Sequence, residues 1–410
     1  MSNPVSRLSA DDDSAGILGD VRVLDFTRVL AGPFATMIMA DLGAQIIKVE
    51  EPRTGDDTRG FGPFVNGQSA YFTSINRGKR SVGIDLRTEA GRDLARALAG
   101  KCDVLIENFR PGTMARFGLD YETMHHLFPR LVFVSISGFG QTGPYAQRPA
   151  YDVIIQAMSG LASITGNPDS PPVRVGTSIS DLGAALYGAI GILAALRSAA
   201  ANGHGQHLDI SMLDTQVALL ENAVARYDVT GEVPGPLGSR HPAITPFQFF
   251  KAADGFIVVA AGNDSLFAQL CSSLGVAGLP EDPRFASNAA RTENRSDLEE
   301  LLNRAFAGNS VGEWLLILTG VGVPCGPIQD MAQVMADPQI AAREMIARVE
   351  QPGAGRIAMP ASPLNFSDTP KAPLRPAPAL GQHTEDTLKT LLNLDDEAIA
   401  ALRAQRVIGP

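Results

Sequence analysis

From residue 21 onward the chain alternates two patterns of apolar and polar positions. Short apolar runs, "VRVLDF", "AQIIKVE", "DVLIENF" and "LVFVSIS", are separated by segments whose apolar residues recur at helical spacing, among them "FATMIMADLG", "TEAGRDLARALAGK" and "YETMHHLFP". Strands alternating with amphipathic helices predict an α/β fold with a parallel sheet covered by helices. Ligands in such folds bind at the carboxyl ends of the strands, so the loops that follow them are where function is sought.

The most membrane-like run is "LGAALYGAIGILAAL", residues 182–196. It is shorter than the roughly 20 apolar residues a spanning helix needs and is flanked by Asp181 and Arg197, so it reads as a buried helix and no membrane is expected as a partner. Gly183, Gly188 and Gly191 each cost about 1 kcal/mol of helix propensity. That points to close packing against a neighbour.

Further on, the strand-like "QHLDISM" and helical "LDTQVALLENAVARYD" lead into "TGEVPGPLGSRHPAITP", where Gly and Pro mark a boundary. "FQFFKAADGFIVVAAG" then reads as a hairpin around an Asp-Gly turn and opens a smaller α+β domain. A second hairpin-like stretch, "IARVEQPGAGRIAMP", precedes the Pro-rich "SDTPKAPLRPAPALG", read as a tethered crossing segment. The expected division is a disordered lead-in over 1–20, a large α/β domain over 21–200, a linker over 201–224, a small α+β domain over 225–330, and a crossing segment over 331–410 that returns to the large domain.

Composition narrows the class. A length of 410 residues, 45% hydrophobic and 19% charged, fits a globular chain of two domains or one enlarged α/β domain. The net charge of −10 argues against nucleic acid as a partner. Cys102, Cys271 and Cys325 are far apart and form no CxxC pair, which suggests neither a disulfide framework nor a metal site and fits a reducing compartment. The polar, acidic start "MSNPVSRLSADDDSAG" has no apolar core for a signal peptide, so a cytoplasmic location is expected.

Several motifs are decoys. "GFGQTG", Gly138 to Gly143, matches GxGxxG after a strand, but Pro144 and Pro149 fall where the helix of a dinucleotide site would open, and no acidic residue follows at the required distance. Its glycines remain a source of free backbone N–H groups for an oxyanion. GxSxG, Walker A and HExxH motifs are absent from the sequence. "HGQH", His204 to His207, reads as a surface turn, and His125 and His126 as a packed helix face. His241 sits in the Gly/Pro boundary loop, where clefts form. Against the acidic background, positive charge gathers in loops at Arg53 and Arg59, at Arg77, Lys79 and Arg80, and at Arg110 and Arg116. These are either a solvated surface or a cradle for a ligand bearing phosphates.

Asp152 heads the apolar run "VIIQAMSG" just after the Gly-rich loop. By itself it would cap a helix, worth about 1 kcal/mol. Beside a basic cradle, it can instead be a nucleophile.

Together, "VRVLDFTRVLAGPFATMIMADLGAQIIKVEEP", "NRGKRSVGIDL", "DVLIENFRPGTMARFGL", "SISGFGQTGPYAQRPAYDVIIQAMSG" and "GILAALRSAAANGHGQHLDISMLD" resemble the class III CoA-transferases, the CaiB/BaiF family. The resemblance runs from about residue 20 to "PALGQHTEDTL" and implies an interlocked homodimer of ring-like subunits, each with a Rossmann-like large domain and a small domain. It makes Asp152 the nucleophile that attacks an acyl-CoA thioester, forming an aspartyl anhydride and then an aspartyl-CoA thioester. It carries CoA contacts onto Leu30, Ala31, Lys79, Asn108, Phe109, Arg110 and Arg116, with Ser137, Gly138, Phe139 and Gly140 along the pantetheine path. CoA is then a substrate, and no permanently bound cofactor is expected. Glu51 and Pro52 depart from relatives that have a basic residue there, and "GPLGSRHPAITP" lacks the polyglycine loop of the oxalate-specific branch.

The sequence looks most like the branch that moves CoA between small dicarboxylic acids with succinyl-CoA as donor, Arg148, Gly238, Arg240 and His241 being candidates to meet the free acid. Two rivals share the cradle. An α-methylacyl-CoA racemase would use Asp181 as its acid but needs a histidine where Tyr151 stands. A noncatalytic CoA-binding protein would use Asp152 only as a cap.

Overall fold

The computed structural model describes residues 16–409, which fall into two compact units. The first comprises 16–161, 175–224 and 339–409; the second comprises 162–174 and 225–338.

The first unit is built on a six-stranded, all-parallel sheet in the order Arg80–Gly83, Gln45–Glu50, Arg22–Asp25, Val104–Glu107, Val132–Ser137, His207–Ser211. Its strands are apolar on both faces because both faces are covered. Leu24, Ile47, Leu105 and Phe133 point into one core with Leu94, Leu98 and Met124. Their neighbours Val23, Ile46, Val104 and Val132 point into the other with Ala35, Met39, Ala184 and Ile192. The two-residue period of the strand decides which core each side chain joins.

The long helix Ile179–Asn202 lies across the second of these faces. A Cβ on Gly188 would stand 3.2 Å from Ile136 and one on Gly191 2.5 Å from Leu208, so the glycines let this helix approach the sheet closely. Its opposite side leaves Leu186, Tyr187 and Ile190 exposed within the chain.

The returning chain closes the sheet beside Arg80–Gly83. His383 exchanges hydrogen bonds with Ser81, Thr384 Oγ1 accepts from Gly83 N at 3.0 Å, and Ile408 bridges Ile84.

Three expectations are corrected. The segment 201–224 is no linker: it supplies the edge strand His207–Ser211 and the helix Met212–Ala218, packed on the long helix. His207 is not in a surface turn, because its ring bonds Ser135 Oγ at 3.0 Å and stacks on Tyr121. Of the expected lead-in, residues 1–15 lie outside the described residues, whereas 16–20 form a turn in which Leu18 N donates to Leu42 O at 2.9 Å.

The second unit pairs Cys325–Pro327, Phe256–Ala260 and Phe247–Lys251 as an antiparallel sheet. Phe250, Phe306 and Trp314 form its aromatic centre. The Asp-Gly turn joins the strands Phe247–Lys251 and Phe256–Ala260, and Gly166 accepts a hydrogen bond from Gly238 N at 2.8 Å, which ties 162–174 to this unit.

Candidate active site

Asp152 is the first residue of the helix Asp152–Met158, and its carboxylate does not cap that helix. Instead Oδ1 accepts from Ser180 N at 2.9 Å and Oδ2 from Gln156 Nε2 at 2.7 Å. Ser180 lies in the first turn of Ile179–Asn202, whose own N-cap residue, Ser178, makes no side-chain capping bond. A carboxylate from one helix therefore occupies the positive end of another, which satisfies an orphan N–H and favours negative charge. Gln156, fully buried, is fixed in turn by Val175 N donating to its Oε1 at 2.9 Å. Sequence reasoning missed both partners, although Gln156 stands four residues from Asp152, the spacing that places two side chains on one helix face.

Just beside this carboxylate opens a cleft of about 510 Å³ at the carboxyl ends of the strands. Tyr151 and Asp181, the chain neighbours of Asp152 and Ser180, are in its wall. Leu30 and Ala31 enter from the start of the helix Ala31–Asp41, Asn108, Phe109 and Arg110 from the loop after Val104–Glu107, and Ser137, Gly138 and Arg148 from the Gly-rich loop. Asn108 is held rigidly: its side chain accepts from Arg28 N at 2.8 Å and donates to Arg28 O at 2.7 Å. Ser137 lines the cleft, and its buried Oγ has no hydrogen-bond partner among the described residues. A Cβ on Gly138 would come within 2.3 Å of Ala150 Cβ, so glycine lets the loop fold back on itself two residues before Asp152.

Four expected ligand contacts lie elsewhere. Lys79 is enclosed, its ammonium bonded to Asp25 Oδ2, Pro33 O and Asn76 Oδ1 at 3.3, 2.9 and 3.0 Å. Burial pushes its pKa down to about 8, partly countered by Asp25. Burial works against the Asp25 charge too, but Lys79 and Lys48 outweigh it and hold that carboxyl below its usual range. Arg116 is outside the cleft wall and donates to Thr113 Oγ1 at 3.1 Å. Phe139 turns inward against Tyr145, and Gly140 sits beside Asp209.

A second cavity of about 280 Å³ shares Arg28, Asp57, Phe109 and Thr113 with the first. Glu51, the acidic departure noted above, lies in its wall and accepts from Arg53 and Arg87 at 3.0 and 3.1 Å, so cationic groups stand next to it after all.

Asp181 is the electrostatic outlier of the cleft. Burial, then the neighbouring Asp152 charge, push its carboxyl up to about 7. Tyr71 is raised by burial and by the charges of Asp181, Asp56 and Asp152.

The remaining candidates belong to the second unit. There Arg240 pairs with Glu299 at 2.8 Å, His241 accepts from Ala243 N through Nδ1 at 3.1 Å and faces Phe247, and Gly238 turns the chain with φ +65.

A parallel doubly covered sheet with a carboxylate beside a strand-end cleft marks an α/β protein that binds its ligand at the carboxyl ends of its strands. The profile of CoA-transferase family III matches residues 18–384, and the chain belongs to that family. It is 40% identical over 403 residues to the succinyl-CoA:glutarate CoA-transferase of Homo sapiens, covering 98% of this chain and 92% of that one. It is 45% identical over 346 residues to the acetyl-CoA:oxalate CoA-transferase of Acetobacter aceti, covering 84% and 88%. A CAIB/BAIF family protein from Brucella suis, 40% identical, superposes with a TM-score of 0.81 over 92% of this chain and 99% of that structure. The protein is thus a class III CoA-transferase, an enzyme whose substrates are CoA thioesters.

Proposed function

We propose that this enzyme moves CoA from succinyl-CoA to a second small dicarboxylic acid, with Asp152 as the nucleophile. The observation that carries the reading is the Asp152 carboxylate itself, buried beside the cleft and oriented by Ser180 N and Gln156 Nε2. Relatives at about 40% identity named for succinate and glutarate support the substrate class.

An Asp152 oxygen attacks the thioester carbonyl carbon, the tetrahedral oxyanion collapses, and the C–S bond breaks with its electron pair on sulfur. The sulfur then attacks the aspartyl carbon, releasing the first acid and leaving CoA on Asp152. An incoming carboxylate reverses the steps. The backbone N–H of Gly138, which lines the cleft, is the candidate oxyanion donor, worth about 2.7–4 kcal/mol in comparable sites. The thioester arm runs past Ser137 and Asn108, and Arg148 meets the distal carboxylate.

The exposed apolar side of Ile179–Asn202 supports an interlocked homodimer, and three free cysteines support a cytoplasmic location. Incubating the enzyme with a panel of acyl-CoA donors and free acids, and weighing the thioester products, tests the function. Succinyl-CoA with glutarate, oxalate or a similar diacid is expected to give the new thioester. Transfer confined to monocarboxylates would overturn the substrate class. A racemase remains the second reading because Asp181 lines the cleft; exchange of α-deuterium without acyl transfer would favour it.

A further inference from the structure

We propose that Asp181 is the proton store of the exchange, handing a proton to the departing CoA sulfur as Asp152 is acylated and taking it back before the sulfur returns. This inference rests on the CoA-transfer reading above.

Three features of the site lead to it. Asp181 is a wall residue of the cleft, on the same side as Tyr151. It directly follows Ser180, whose amide holds Asp152, so one turn of helix positions both carboxyls. No hydrogen bond or ion pair to another described residue fixes its side chain, which leaves the carboxyl available to a ligand. Other ionisable groups around its helix lie on several elements. Asp152 and Tyr71 come from the helices Asp152–Met158 and Ala70–Asn76, Asp214 from Met212–Ala218, His207 and Asp209 from the edge strand, and Arg28, Asp57, Arg110 and Arg148 from the cleft wall. The Asp41 carboxylate on Ala31–Asp41 is paired with Arg77. Among them Asp152 is the charged neighbour that acts on Asp181.

Two close carboxyls in a partly buried cleft share one negative charge more readily than they carry two. Below about pH 7 the Asp181 carboxyl holds a proton, kept there by burial and by the Asp152 charge. As the Asp152 oxygen bonds the acyl carbon, the C–S bond breaks, its electron pair goes to sulfur, and the Asp181 proton follows. Asp152 becomes a neutral anhydride, Asp181 becomes the carboxylate, CoA leaves as the thiol, and the total charge is unchanged. Proton transfer is downhill, since an unperturbed thiol has a pKa near 8.5. On return, the Asp181 carboxylate removes the thiol proton, the sulfur attacks the aspartyl carbon, and the released acid carries off the charge.

The test compares the native enzyme, Asp181→Asn and Asp181→Glu in succinyl-CoA to glutarate transfer between pH 5.5 and 9, in H2O and D2O, with CoA affinity and circular dichroism as controls. The native kcat is expected to fall as pH rises through about 7, where Asp181 ionises, and to slow in D2O. Asp181→Asn should lose about 100-fold in kcat with KM within about threefold. It should also lose the alkaline fall and the solvent isotope effect, and Asp181→Glu should recover part of the rate. A near-native kcat in Asp181→Asn, or an unchanged alkaline fall, overturns the shuttle. If Asp181→Asn does not fold, the native enzyme decides: a flat profile to pH 9 without an isotope effect overturns it. When the native chain transfers CoA through Asp152 yet shows these results, only the shuttle fails. A native chain inert toward every CoA donor removes the underlying reading as well.

Discussion

Ser180 N donates to Asp152 Oδ1 at 2.9 Å, joining the start of a 24-residue helix to the head of a 7-residue one. The same bond orients the proposed nucleophile and satisfies the start of a helix, so its two roles separate by substitution. Asp152→Asn keeps an acceptor for Ser180 N and is expected to fold and bind CoA normally while losing transfer by at least about 10³-fold. Asp152→Ala leaves the amide orphaned and should in addition lower stability by about 1 kcal/mol. Steady-state transfer and thermal unfolding of the two variants check this; a transfer-competent Asp152→Asn contradicts the nucleophile assignment.

Gly138 and Ala150 touch where the loop folds back, and a methyl group on Gly138 would lie 2.3 Å from Ala150 Cβ. Gly138→Ala must push the loop away, and Asp152 follows two residues later. Displacement of reacting groups by about 1 Å can cost on the order of 100-fold. A kcat loss of that size, with a melting temperature little changed, is the expected result. Equal activity would mean that the loop is not what aims Asp152.

Lys79 separates a ligand contact from an internal ion pair. Lys79→Met strips Asp25 of its 3.3 Å partner inside the fold. Removing one member of a buried pair costs about 3–5 kcal/mol, so the melting temperature should fall by about 10 °C. CoA affinity of the folded fraction, measured by calorimetry, should stay within about twofold. A selective loss of CoA binding would restore the contact that the sequence pattern suggested.

Glu107 makes stability depend on pH. Burial, reinforced by Asp209 and opposed by hydrogen bonds from Ser135 and Phe109 N, raises its pKa from 4.5 to about 7. Between those values the folded carboxyl keeps a proton that the unfolded chain has lost. Its contribution is therefore greatest below pH 4.5 and is lost as pH rises through 7, a swing of about 3 kcal/mol. Glu107→Gln removes the swing. Thermal unfolding at pH 5 and pH 8 should show the native protein losing stability relative to the variant across that interval, and parallel curves would refute it.

The sheet was legible because parallel strands covered on both faces leave continuous apolar runs, as in "AQIIKVE". His207–Ser211 could be read as strand-like within "QHLDISM" but was assigned to a linker, since the alternating polarity of His-Leu-Asp-Ile-Ser does not mark it as the edge of the apolar parallel sheet. Asp152 could be singled out by its position between a Gly-rich loop and an apolar helix, but Ser180, 28 residues away, is invisible until the long helix is docked. Lys79 shows the converse limit. Its charge is plain in "NRGKRS", yet only the buried Asp25 beneath it reveals that it points inward.

The strip of chain that seals Arg80–Gly83 has a bearing on synthesis. Gly381 N reaches Ser81 Oγ across 300 positions of sequence, and Gly409 N reaches Gly83 O. During translation that border strand therefore emerges with its outer backbone groups unpaired and must wait while the whole second unit is made. A nascent chain halted before residue 381 presents an open sheet margin to other nascent chains, which makes early release a route to aggregation rather than to a smaller working enzyme.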